Sequence, residues 1–162
     1  MIDSPHHSNE YREALIEKFL NDLKVNSLNI MNSASLSLFS TGATRGFVIE
    51  CGHGLTTTTP IFEGYLLKHA MHNEINSGDN IVKYLLAELK KKGISIQDNE
   101  LQAYHIAKEM KEKFSEVSTY YQEQIEGPEF ADEDHRKFEL PSGEIIDLGH
   151  KLRLGMGEIL FE

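Results

Sequence analysis

The chain has 162 residues and a mass of 18.4 kDa, with 40% hydrophobic and 26% charged residues, enough for one or two packed units of ordinary globular kind. Its 26 Asp and Glu against 16 Lys and Arg leave a formal net charge of -10, which opposes contact with nucleic-acid backbones and anionic membrane surfaces. The lone Cys51 rules out an internal disulfide, residues 1–5 lack the basic start and apolar run of a secretion signal, and no stretch reaches the roughly 18 apolar residues of a membrane span; a soluble chain in a reducing intracellular compartment is expected.

Tyr11, Leu15, Ile16, Phe19, Leu20 and Leu23 recur at three- and four-residue steps behind a cap at Ser8 or Asn9, predicting an amphipathic helix over residues 10–23. Residues 25–31 read as a short strand, and 34–39 as a short helix stopped by Thr41-Gly42. Residues 46–51 are apolar and β-prone, Gly52-His53-Gly54 suits a tight turn, and 55–59 are rich in threonine, so this is the clearest β-hairpin. After Pro60 a strand ending near Tyr65 leads into residues 66–75, with His69 and His72 on a helix surface. Ser77-Gly78-Asp79 then offers a cap for a helix carrying Ile81, Tyr84, Leu85 and Leu89, closed by Gly93.

A long helix is predicted from Asn99 to Glu126, with Leu101, Ala107, Met110, Phe114, Val117, Tyr121 and Ile125 near one face and Gly127-Pro128 at its end. An acidic loop follows at 129–134, and residues 138–148 alternate around Pro141-Ser142-Gly143 as a second hairpin. The order of elements predicts an α/β or α+β fold without internal repeats.

The turn Gly52-His53-Gly54 can present backbone N–H groups to a phosphate, although an ordinary structural hairpin is the commoner outcome of such a motif. His6 and His7, with His69 and His72, lack the cysteine cluster or H-E-x-x-H spacing of a metal site, so a mobile tail and plain surface residues are expected. Cys51 is expected as a small buried residue, beside a glutamate that disfavours its thiolate.

The run Leu38-Phe39-Ser40-Thr41-Gly42-Ala43-Thr44-Arg45-Gly46, followed by Phe47-Val48-Ile49-Glu50-Cys51-Gly52-His53-Gly54, resembles the stretch of the actin family that leads into its second phosphate-binding hairpin. Pro60-Ile61-Phe62-Glu63-Gly64-Tyr65 and Lys68-His69-Ala70 continue it at the family's spacing, and residues 78–86, Lys111-Glu112-Lys113 and Glu139-Leu140-Pro141-Ser142-Gly143 keep the order. The similarity covers nearly the whole chain, is weakest over the first eight residues, and needs a small insertion between Ser95 and Glu100. It implies part of the ribonuclease-H-like actin fold, α/β with a mixed sheet, a β-hairpin and flanking helices. Residues 1–40 would match the helical end of the first subdomain, 41–76 a third-subdomain hairpin and helix, and 77–162 fourth-subdomain helices and hairpin, with boundaries near Ser40 and Asn76.

By the same resemblance, Glu50 stands where the family has an aspartate that organises metal-bound water, and His53 fills a second acidic position. Ser33 and Thr57 replace a glutamine and a histidine that orient the attacking water. With all four changed, no catalytic residue is carried over, and ATP hydrolysis is expected to be absent or very slow, because phosphoryl transfer depends on positioning and electrostatics. Gly52, His53 and Gly54 would face phosphates, and Lys108, Lys111 and Glu112 would flank adenine and ribose; a solvated helix face, laced by pairs such as Glu109 with Lys113, is the competing reading of the latter. The family's other two nucleotide loops fall outside this segment, so Mg-ATP or ADP would be held weakly or not at all by the chain alone, and no metal ligand set is expected.

The implied role is a binding module: a degenerate actin-like subunit of the cytoskeleton or a larger assembly, with protein partners such as actin-like subunits or a multisubunit complex. No nucleic-acid or membrane contact is expected. The alternatives are a piece of an ATP-binding, filament-forming actin and a nuclear, chromatin-associated actin-related protein. A start at Met1 fits a complete short chain; a piece would continue into glycine-rich phosphate loops on both sides. In the family the hairpin sheet is completed by later elements, so uncovered apolar surface is expected, and Asp79 and Asn80 stand where the family carries a basic then an acidic residue near a longitudinal contact surface, which weighs against copolymerisation.

Overall fold

A computed structural model of the chain describes residues 1–96, 99–127 and 136–161. Contacts divide it into two compact units, Met1–Cys51 with Thr56–Asn73, and Gly52–Leu55 with Glu74–Glu162. The expected loop at 129–134 lies outside the described residues.

In the first unit, β1 (Ile2–Asp3) pairs in parallel with β2 (Met31–Asn32). The strand expected over 25–31 is therefore almost absent: a strand exists only where a ladder holds it, β1 offers two residues, and Pro5 lacks the N–H needed shortly beyond. The first histidines are not a loose tail. Asp3, 6% exposed, accepts from Arg12 Nε at 2.6 Å and meets His7 Nδ1, pinning the start of the chain.

Ser8 Oγ accepts from Tyr11 N at 3.2 Å and starts α1 (Asn9–Glu17), which a π-helical turn at Lys18–Asp22 prolongs. The predicted helix is thus present, but its apolar side is uncovered: Tyr11, Ile16, Leu20 and Leu23 are all exposed. Asn32 Oδ1 accepts from Ala34 N at 3.0 Å and Ser35 N at 3.4 Å to start α2 (Ser33–Ser40), and Gly42, at φ 78°, turns the chain away as expected.

The hairpin strands β3 (Gly46–Cys51) and β4 (Thr56–Phe62) pair antiparallel from Gly46 opposite Ile61 to Cys51 opposite Thr56. Pro60 lies inside β4 instead of interrupting it. Its carbonyl accepts from Leu67 N at 3.0 Å, so its missing N–H faces away from β3 and costs that ladder nothing. Glu63 and Gly64, both at positive φ, turn the chain into β5 (Tyr65–Leu66), which pairs with β4 on the far side, and β6 (His72–Glu74) also pairs with β4. His72 is therefore on a strand and His69 in a single 3₁₀ turn at Lys68–Ala70, not on a helix.

Strand alternation gives this sheet two unlike faces. Ile61, with Val48 and Leu66 beside it, packs on Ala34 and Leu38 of α2. The opposite face presents Phe47, Ile49, Phe62 and Tyr65 to solvent. Cys51 shares the period of Phe47 and Ile49 and is exposed, contrary to the buried position expected, with Thr56 Oγ1 donating to its Sγ at 3.3 Å.

In the second unit, α3 (Gly78–Lys91) ends at Gly93, φ 74°, as predicted. Its start is capped differently from the expected side-chain cap. The carbonyls of Gly52 and His53 accept from Gly78 N at 3.0 Å and Asp79 N at 2.6 Å, while the buried Ser77 hydroxyl has no partner among the described residues. Asn99 caps α4 (Glu100–Phe114), and the single long helix expected to Glu126 is broken. Ser115 is extended, Glu116 N donates to Arg153 O at 3.2 Å, and helix resumes only as α5 (Tyr121–Glu126). The cause is tertiary: α6 (His150–Glu158), which periodicity did not disclose, lies against that link so closely that a Cβ on Gly157 would come within 2.0 Å of Glu116 O.

The second hairpin forms as expected from β7 (Lys137–Glu139) and β8 (Ile145–Asp147), with Gly143 at φ 84° in its turn. Its Phe138 and Ile146 join Val82, Leu85 and Leu89 of α3, Ala107 and Met110 of α4, and Leu152 and Met156 of α6 in one core. At about 1.5–3 kcal/mol for each large apolar side chain buried, this core is the main source of the unit's stability. No helix among the described residues is long and apolar enough to cross a membrane.

Candidate functional site

The first unit brings Ser33, Glu50 and Thr57 together. Glu50 and Thr57 are cross-strand partners on β3 and β4, and Ser33 opens α2, which packs on the same side of the sheet. Ser33 Oγ donates to Glu50 Oε2 at 2.9 Å and Ser37 Oγ to Oε1 at 3.4 Å, while Thr57 is buried. Burial pushes the His6 imidazole down from its ordinary pKa, partly opposed by the Glu50 carboxylate. The carboxylate is thus held by neutral hydroxyls of its own chain, and neither an amide nor an imidazole stands at positions 33 and 57 to orient a water.

The turn belongs to the second unit. Gly52 N donates to Leu55 O at 2.9 Å, and a Cβ on Gly52 would come equally close to that oxygen, so close approach is what requires glycine there. Neither Gly52 nor Gly54 takes a positive φ, so the left-handed freedom expected of them is unused. The backbone N–H groups of His53 and Gly54 donate to nothing among the described residues.

The His53 side chain is drawn into a polar chain that links the turn to two helices. Its Nε2 lies 2.7 Å from the Tyr104 hydroxyl of α4, which in turn donates to Asp79 Oδ1 at the start of α3; Asp79 Oδ2 pairs with Lys83 at 2.6 Å. With the tyrosine proton on Asp79, His53 is the donor from Nε2, leaving Nδ1 open. The hydrogen bonds from Lys83 and then Tyr104 hold the Asp79 carboxyl below its usual range, and the bond to Asp79 pushes the Tyr104 hydroxyl up to about 12.

Lys108, Lys111 and Glu112 share α4 but do not act as one group. Lys108 lies 4.0 Å from Glu112, and Lys113 pairs with Glu109 at 2.6 Å, as on any solvated helix. Lys111 reaches instead toward Gly78: a Cβ there would sit 3.1 Å from Lys111 Nζ and 3.4 Å from both Cα and Nδ1 of His53. Lys111 has no ion-pair partner among the described residues. The sequence reading missed Gly78, Asp79 and Tyr104 as members of this cluster. The i, i+4 spacing of Asp79 and Lys83 was a legible signal, whereas Tyr104 is 51 residues from His53 and left none.

Backbone amides that donate to nothing and an ammonium without an ion-pair partner, among the described residues, are each groups that suit a phosphate oxygen. They do not suit a carboxylate-anchored magnesium ion, which takes oxygen ligands: position 53 offers a nitrogen, and no three acidic, histidine or cysteine side chains among the described residues are grouped to share an ion.

Comparison with known proteins agrees with this architecture. The family model for Actin matches residues 1–162, and the chain belongs to the actin family. It is 29% identical over 164 residues to putative actin-29 of Dictyostelium discoideum, covering all of this chain and 42% of that protein. It is 29% identical over 150 residues to actin-like protein 9 of Homo sapiens, covering 93% of this chain and 35% of that one. Against centractin of Schizosaccharomyces pombe it is 30% identical over 153 residues, covering 93% and 39%. The chain therefore spans about two fifths of the length of these relatives, and its fold is part of an actin fold.

Proposed function

We propose that the chain is an actin-like structural or interaction subunit of a cytoskeletal or larger assembly, with a degenerate nucleotide site that does not hydrolyse ATP. The observation that carries this reading is the Ser33, Glu50 and Thr57 set, in which the carboxylate is held by serine hydroxyls and neither position 33 nor position 57 carries an amide or imidazole to orient an attacking water. The exposed Phe47, Ile49, Phe62 and Tyr65 support a protein-bound role, since an apolar sheet face of this kind is ordinarily covered. A cytoplasmic, cytoskeletal setting fits the centractin and actin-like relatives. Phosphate release from Mg-ATP tests the reading: background release is expected, and steady turnover that Glu50→Ala abolishes would overturn it.

A second reading, a piece of an ATP-binding filament-forming actin or of a chromatin-associated actin-related protein, is favoured by the turn amides and Lys111, which are without partners among the described residues. Sequencing the full transcript separates the two, because that reading requires glycine-rich phosphate loops on both sides of this segment.

A further inference from the structure

The geometry points to a copper(II) site formed by His53 Nε2, Asp79 Oδ1 and the Tyr104 oxygen, which the hairpin turn, the start of α3 and the first half of α4 bring to one place. Copper(II) takes mixed nitrogen and oxygen donors in one plane.

An ion with bonds of about 2.0 Å sets its donors about 2.8 Å apart at right angles and about 4 Å apart across itself. His53 Nε2 and Asp79 Oδ1 are 4.0 Å apart, the spacing of donors across an ion. The Tyr104 oxygen stands between them, 2.7 Å from Nε2 and hydrogen-bonded to Oδ1, at the spacing of a donor on the corner they share. The three atoms therefore mark three corners of a square, with the fourth open to water; a tetrahedral ion such as zinc needs its donors evenly spaced instead. Lys83 holds Asp79 Oδ2 at 2.6 Å, which turns Oδ1 toward the ion. A Cβ on Gly78 would lie 3.4 Å from His53 Nδ1 and 3.1 Å from Lys111 Nζ, so that ammonium is on the Nδ1 side of the ring, away from Nε2. The His53 and Asp79 side chains are 48% and 26% exposed, which gives the ion a way in, and the net charge of -10 draws cations. On binding, the Tyr104 hydroxyl gives its proton to solvent and the imidazole proton moves from Nε2 to Nδ1, so one proton is released for each ion bound.

The test is a titration of the purified chain with copper(II) chloride, followed by visible absorption and electron paramagnetic resonance. The first equivalent should give a tyrosinate-to-copper charge-transfer band and a tetragonal signal split by one nitrogen, with an affinity that rises about tenfold per pH unit as the single proton is released. Tyr104→Phe should abolish the band and weaken binding at least about tenfold, and His53→Gln should remove the nitrogen splitting, with circular dichroism establishing that both variants are folded. Copper held without the band, as at other histidines of the chain, a band that survives in Tyr104→Phe, or no binding at all would each overturn the site. Zinc chloride is titrated in parallel, and an affinity for zinc equal to that for copper would overturn the planar arrangement.

Discussion

Two polar clusters give residue-level consequences with definite signs. Tyr104 is pushed to about 12 because its proton is held by Asp79. Its contribution to stability is therefore fully present below the ordinary tyrosine value of 10.0 and is lost as pH rises through about 12. Asp79→Asn should bring the ionisation of this one tyrosine back toward 10.0, read from its ring-carbon NMR shift during a pH titration; an unmoved midpoint would contradict the assignment. At Asp3, burial raises the carboxyl but the hydrogen bonds from His7 and Arg12 more than offset it, so the net shift is downward from 3.8. A lowered carboxyl contributes its full stability above 3.8 and loses it as pH falls from there through its own, lower value. Arg12→Ala should cost about 1–3 kcal/mol in urea unfolding at pH 7, and progressively less as the pH is taken below 3.8 and Asp3 takes up its proton; a loss that does not change with pH would contradict this.

Elements were legible wherever a local signal and the tertiary contacts agreed. The hairpin at β3 and β4, the helices α2 and α3 with their glycine stops, and the turn at Gly143 all followed from periodicity and turn chemistry. The expected strand over 25–31 did not, because its ladder partner is two residues long, and the expected long helix did not, because Arg153 O takes the Glu116 N–H. Both are contacts across distance that a window of sequence does not contain. The candidate site divides the same way: Ser33, Glu50, Gly52 and His53 were found by resemblance, whereas the Tyr104 link and the approach of Lys111 to Gly78 arise only from packing. If close passage of α6 is what breaks α4, Gly157→Ala should be severely disruptive, destabilising by about 1–3 kcal/mol or more through forced displacement of Glu116. Thermal unfolding of that variant checks it, and a wild-type midpoint would contradict the packing.

At the scale of the molecule, the uncovered sheet face sets how the isolated chain behaves. Phe47 and Ile49 are exposed at 61% and 65%, so Phe47→Ser with Ile49→Thr should leave stability within about 0.5 kcal/mol while reducing self-association in sedimentation runs; unchanged association would place the contact elsewhere. The central claim is an actin-family chain without a working ATP site. Isothermal titration of the purified chain with Mg-ATP, with circular dichroism to establish that it is folded, tests this most directly. The account predicts a folded chain with no micromolar binding, and micromolar binding of Mg-ATP by a folded monomer would contradict it.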